Sequence, residues 1–175
     1  MKHPFISAIL LLAGMLFLSC HKSNLTYENE FKKSYNAWLN FKKTSGNSYR
    51  YMVTGGTWTG EGWQTTVTVK EGKVTGRDYK LTPAPQSTAN IPAEKLAWTE
   101  TENELNTHDD SPAAEAITLD QVYEKARTEW LIKRKDATTI LEATNNGMIS
   151  SCGYAEVNCM DDCFRGIVIA YIQPL

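Results

Sequence analysis

Residues 49–79 read YRYMVTGGTWTGEGWQTTVTVKEGKVTGRDY, and their alternation decides the fold class. Tyr49, Tyr51 and Val53 alternate with Arg50, Met52 and Thr54, the pattern of a strand with one buried face. Gly55-Gly56 and Gly60-Glu61-Gly62 punctuate a turn that carries Trp58. Beyond it, Trp63, Thr65, Val67 and Val69 share one face against Gln64, Thr66 and Thr68, and Glu71-Gly72 turns the chain back into a third run from Lys73 to Tyr79. The stretch predicts an antiparallel meander of three strands.

Upstream, Tyr27, Phe31, Tyr35, Trp38 and Leu39 recur at helical spacing over 27–43, with Thr26 as the expected cap and Thr44-Ser45-Gly46-Asn47-Ser48 as the terminating turn. Downstream, residues 81–116 carry Pro83, Pro85, Pro92 and Pro112. An unstructured connection of that length is unusual in a compact domain. Lys95 to Leu105 is therefore expected to be a short strand or ordered packing segment anchored by Trp98, with His108-Asp109-Asp110 in the loop beyond it.

Thr118-Leu119-Asp120-Gln121 fits a capping box, and Leu119, Val122, Tyr123, Ala126 and Trp130 follow as one apolar stripe. A helix is predicted from 119 to about 134. Thr138 to Ala143 then leads into Asn145-Asn146-Gly147, a strong hairpin signal, and Met148 to Ala155 is the return strand. Gly166 to Ile172 is apolar at every position, as expected of a central strand covered on both faces. The order α-βββ-(β)-α-βββ predicts one α+β domain over 27–175, two helices on a mostly antiparallel sheet, with an ordered insert at 81–116.

The first twenty residues are read as targeting signal. Lys2 and His3 precede an uncharged apolar run from Phe5 to Leu18, and Phe17-Leu18-Ser19-Cys20 puts a small residue before a cysteine. This resembles the lipobox of bacterial lipoproteins, with phenylalanine where leucine is usual. It implies that residues 1–19 are a signal peptide, that Cys20 carries lipid, and that 20–26 are a tether. The run is shorter than the ~20 residues a spanning helix needs. With a formal net charge of −2, no nucleic-acid partner is expected, and membrane contact should come from acyl chains on Cys20. His21-Lys22-Ser23-Asn24 lacks the acidic export tag seen on many surface lipoproteins of gut Bacteroidetes. That resemblance implies an outer-membrane lipoprotein facing the periplasm.

Beyond Cys20, the cysteines are Cys152, Cys159 and Cys163. In an oxidising compartment a disulfide is expected, and loop geometry favours Cys152 with Cys159 or Cys163. The third thiol is left free, shielded, or paired with another molecule. A metal site of these three with Asp161 or Asp162 does not match the common zinc spacings. A redox thiol would sit poorly beside those two acids. His108 is the single histidine in the domain, so any Ser-His-Asp or Cys-His chemistry must pass through it. With Asp109 and Asp110 it offers donors for a hard cation, although adjacent loop acids are usually solvated. Most of the five tryptophans are expected in the core. Trp58, in its glycine-rich turn, and Trp98 are the interaction candidates.

The arrangement as a whole resembles a family of small bacterial lipoproteins of unknown function, of the Bacteroidetes type. The shared marks are Trp38 on an aromatic-rich helix, Tyr49-Arg50-Tyr51, the hairpin from Val67 to Val74, the helix start from Thr118 to Tyr123, and Asp161-Asp162 before Ile167. They span residues 27–173, with the 81–116 insert and the three cysteines as departures. The family implies no activity. The expected function is thus a non-enzymatic binding domain on an envelope lipoprotein, with no cofactor and with an envelope protein or small molecule as its partner. The alternative is an inhibitor or chaperone-like module using the Trp58 turn and the 152–163 loop. An enzyme built on His108 or a free cysteine is the third reading.

Overall fold

A computed structural model describes residues 24–85, 90–161 and 163–175. The signal peptide and Cys20 lie outside these residues. The elements are α1 (Glu28–Thr44), β1 (Tyr49–Gly56), β2 (Gly62–Lys70), β3 (Lys73–Thr82), a short α2 (Ala93–Leu96), β4 (Ala97–Thr101), α3 (Leu119–Lys125) running into a π-helical turn (Ala126–Trp130), β5 (Ala137–Glu142), β6 (Ser151–Glu156) and β7 (Phe164–Pro174). The protein is α+β, a seven-stranded antiparallel sheet in the order β4-β3-β2-β1-β7-β6-β5 with α1 and α3 on one face. Among the described residues no helix is long and apolar enough to cross a membrane.

The meander forms as its alternation predicts, with Tyr49, Tyr51, Val53, Thr65, Val67 and Val69 all buried on the helix-covered face. The insert adds α2, a short third helix where two were expected, and then β4, which extends the sheet by pairing Trp98 with Tyr79 and Glu100 with Arg77. The helices meet over β1. The Trp38 ring stands edge-on to Tyr49 at 5.1 Å, and its indole N–H donates to Asp120 Oδ1 at 2.9 Å. The Tyr49 hydroxyl accepts the Leu119 N–H at 2.9 Å, and the Tyr51 hydroxyl donates to Ile117 O at 2.6 Å. Two strand tyrosines thereby fix where α3 begins, and the expected Thr118–Gln121 capping box is complete in both directions.

Four local expectations are corrected. Thr26 does not cap α1: its N-terminal residue is Tyr27, in left-handed backbone at φ 58° with no side-chain cap. On α1, Ser34 is buried while Tyr35 and Leu39 are exposed, because the Ser34 hydroxyl bonds the Tyr123 hydroxyl at 2.8 Å. The helix from 119 stops short of 134 because Arg134 closes it from outside. Its guanidinium donates to the carbonyls of Glu129 (2.6 Å) and Ile132 (2.9 Å) and stacks over Tyr154. Finally, β7 is central in the sheet but covered on one face: Ile167, Ile169 and Ile172 are buried, and Val168 is exposed. Branched apolar residues favour extended backbone on either face, so composition overstated the burial.

The Asn145-Asn146-Gly147 turn forms, with Asn146 and Gly147 both at positive φ and Asn145 bridged to Met148. It lies inside a longer connection, however, and the return strand begins at Ser151, opposite Glu142, rather than at Met148.

Candidate functional site

Helix cover ends at β1 and β2. Over β3 and β4 the inner face is covered by the 91–116 segment, and a charged pair organises it. Arg77 and Glu100 are cross-strand neighbours whose side chains both point inward. The guanidinium grips the carboxylate in two bonds, Nε to Oε2 at 2.8 Å and Nη2 to Oε1 at 2.7 Å. Glu100 is fully buried, and it also accepts the backbone N–H of Asn106 (2.8 Å) and of His108 (2.9 Å) and the His108 ring at Nδ1 (3.0 Å). Burial by itself would raise this carboxyl, but the donors from Arg77, His108 and Asn106 outweigh it and hold it well below its ordinary value. One buried carboxylate therefore winds the 102–108 loop around itself. Arg77 extends the same network through Nη1 to Ala114 O at 3.1 Å.

The same pair fixes a column of rings. Trp98 stacks on Tyr79 at 5.0 Å, His108 lies on Trp98 at 4.3 Å and nearly parallel, and the Arg77 guanidinium sits 4.7 Å from the Trp98 ring. These rings wall a pocket of about 300 Å³, closed by Leu81, Ile91 and Pro112. Polar groups at its margin are Glu61, Glu94, Asp110, Lys95 and Ser111. Burial raises the Tyr79 phenol, and the Glu61 charge adds to the effect. Because ionised Glu100 can only accept, His108 Nδ1 is the donor, and in neutral His108 the lone pair is on Nε2. Nε2 makes no hydrogen bond to the described residues. The pocket thus combines aromatic faces, an imidazole held in place, and more carboxylates than cations.

Of the residues singled out in sequence, Trp98 and His108 come together here. The His108 side chain is partly exposed, but ring stacking and the Glu100 bond both hold it in place. It shares the pocket with Asp110, but among the described residues no group of three or more histidine, cysteine or acidic side chains is placed to hold a metal. Trp58 lies elsewhere and is 78% exposed. Arg77 and Glu100 escaped the sequence reading. Their signal was positional: each sits two residues from an inward aromatic, Tyr79 or Trp98, and so shares its face.

The cysteines correct the expected pairing. The disulfide joins Cys159 to Cys163 within the β6–β7 loop, and Cys152 is a free thiol, fully buried in the core. Cys152 faces inward on β6, opposite Ile167, where neither loop cysteine reaches it. Burial pushes its thiol up to about 12. Closing so short a loop is worth at most about 2 kcal/mol in the chain-entropy treatment. In the folded protein Cys152 should resist iodoacetamide with or without reductant and react on unfolding, while Cys159 and Cys163 react after reduction. Cys152→Ser should lower stability by about 1–3 kcal/mol equally in both redox conditions. A loss confined to oxidising buffer would restore a Cys152 bridge.

No protein-family model, curated protein or solved structure matches this chain.

Proposed function

We propose that this chain is a cell-envelope lipoprotein, anchored to the outer membrane through lipid on Cys20 and facing the periplasm, whose domain is a non-enzymatic binding module. The Cys20 part rests on the leader and lipobox pattern of residues 2–20. The binding part rests on one observation, the pocket over Trp98. Over β1, β2, β6 and β7 the sheet's inner face is sealed by helices in the ordinary way. Over β3 and β4 the 91–116 segment leaves a pocket beside a buried ion pair that orients its aromatic walls, an arrangement a packed core does not need. Its aromatic surfaces and excess of carboxylates suit a small, flat organic molecule bearing an ammonium or N–H group, which would stack on the rings and donate to His108 Nε2 or Glu94.

The anchor is tested by fractionation and intact mass. Cys20→Ser should abolish the acyl mass and leave the apolar leader uncleaved, so that the unprocessed chain stays in the inner membrane. A variant that is still cleaved before position 20 or still carries acyl mass would refute the assignment. The pocket is tested by a melting screen of planar and ammonium-bearing compounds. A true ligand at a hundredfold excess over Kd should raise Tm by roughly 5–10 °C. An inert panel, together with one stoichiometric protein captured by crosslinking in native membranes, would replace the small-molecule reading with that of an accessory subunit.

A further inference from the structure

Strand β7 changes partners halfway along. Residues Phe164–Val168 pair with β6, and residues Ile169–Pro174 pair with β1. The β1–β7 ladder stops at Val53 and Ile169, while β1 runs on through Thr54 to Gly56 paired to β2 alone. The sheet is therefore forked, with two strand edges facing each other and no ladder between them. A groove of about 640 Å³ lies in the fork, lined on one side by Thr54, Gly55 and Gly56 and on the other by Gly166, Ile167 and Val168. Three of these six are glycines, so main chain is accessible from the groove.

We propose that this notch takes an extended peptide segment of a partner protein, added as a strand between β1 and β7. The opposite edge of β7 shows that main-chain groups freed at the handover take up partners. Where β7 leaves β6, its other edge would be bare from Ile169 onward, and the chain's own 144–150 segment covers it there. Ile169 N–H donates to Ser150 O at 2.7 Å, and Asn145 Nδ2 donates to Ile169 O at 3.0 Å. One main-chain carbonyl and one side-chain amide from a turn thus satisfy Ile169 on one side of the handover, and the fork on the other side leaves main-chain groups of β1 and β7 without a ladder. No described segment of the chain is free to serve it. The C-terminus is committed at the far end of the sheet, where Leu175 N–H donates to Ser48 O. The 112–116 stretch, which borders the groove, is tied down by Ala114 N–H to Thr65 Oγ1 at 3.0 Å and by Arg77.

The rim adds side-chain grip. By topology the β1–β2 turn and the β6–β7 loop lie at the forked end of the sheet. They bring exposed Trp58, Val157 and Met160 to that end. The groove side chains are apolar, chiefly Trp63, Ile167 and Pro112. The segment that fits carries apolar residues at alternate positions, one face on Trp63 and Ile167 and the other toward solvent. This gives a stated occupant to the protein-interaction reading of the Trp58 turn and the cysteine-closed loop, and it is independent of the pocket over Trp98.

The test is amide hydrogen exchange on the full chain, with an acetylated, amidated hexapeptide of alternating threonine and valine as the probe. It copies the alternation of Thr66 to Val69. In the free protein, the amides of 54–56 and 164–168 not bonded to β2 or β6 should exchange at loop rates. With peptide at saturation they should slow by roughly tenfold or more. The same peptide N-methylated at alternate residues keeps its side chains, loses its edge donors and should give no protection. Three results would overturn the proposal: protection already present in the free protein, no protection at millimolar peptide, or equal protection by the methylated peptide. Protection that grows with protein concentration alone, with a dimer in sedimentation, would assign the notch to a second copy and also overturn it.

Discussion

Glu100→Gln is expected to destabilise the domain by about 3–5 kcal/mol in urea unfolding, a large fraction of the ~5–15 kcal/mol that holds a typical domain together. The substitution keeps the shape but removes the charge facing a guanidinium that is itself buried. It also puts amide hydrogens where Arg77, Asn106 and His108 already donate. Removing both charges by Arg77→Met with Glu100→Leu should recover only part of the loss. The Asn106 and His108 backbone donors remain inside without an acceptor, at about 1–3 kcal/mol each. The pH dependence has a definite sign. Glu100 is held below its ordinary value of 4.5, so its contribution is fully present above pH 4.5 and is lost as pH falls below that toward the folded value. The gap between wild type and Glu100→Gln should therefore be widest at neutral pH and shrink in acid. A gap below ~1 kcal/mol at pH 7 would mean that water reaches the pair, as at exposed ion pairs, and the loop around it would need another explanation.

That pair also marks the boundary of what the sequence discloses. Residues 49–79 and 118–123 were legible because their information is local: period-two alternation, tight turns, and a capping box whose two bonds form within four residues. The ordered segment around Trp98 was legible for a different reason, since so long a connection without structure is unusual in a compact domain. The site was not. Arg77 and Glu100 read as ordinary surface charges until β4 is placed in register beside β3, and that register depends on the insert's tertiary packing. His108 gains its role only because Glu100 is buried eight residues before it. The cysteine error has a similar origin. The sequence separation admitted three pairings, and the choice was made by β6 alternation, which turns Cys152 into the core with Ile149 and Ile167. The handover of β7 between β6 and β1 has no local signature, since it falls inside the uninterrupted branched run Ile167-Val168-Ile169.

Trp38→Ala and Trp98→Ala should separate stability from binding, because the two indoles lie on the same sheet face in opposite circumstances. Trp38 is fully buried, nearly parallel to Tyr123 at 6.3 Å and edge-on to Tyr49. Its removal leaves a cavity under α1 and should cost about 3–5 kcal/mol. Little of that is electrostatic, since Asp120 keeps its bond from Lys42 at 2.7 Å. Trp38→Phe should recover much of the loss by refilling the space. Trp98 is half-buried, and its ring already borders the open pocket, so truncation should cost under about 2 kcal/mol. The binding readout should run the other way. A compound that raises the wild-type Tm should raise that of Trp38→Ala by a similar amount at matched folded fraction, and should leave Trp98→Ala unmoved. The contrast matters because a loose protein loses ligands indiscriminately, whereas loss of binding in the more stable variant alone locates the contact at Trp98. If both variants lose binding, or if Trp98→Ala is the less stable of the two, then the ring column is a packing element of the insert. The opening beside it would then be a seam between the loop and the sheet rather than a site.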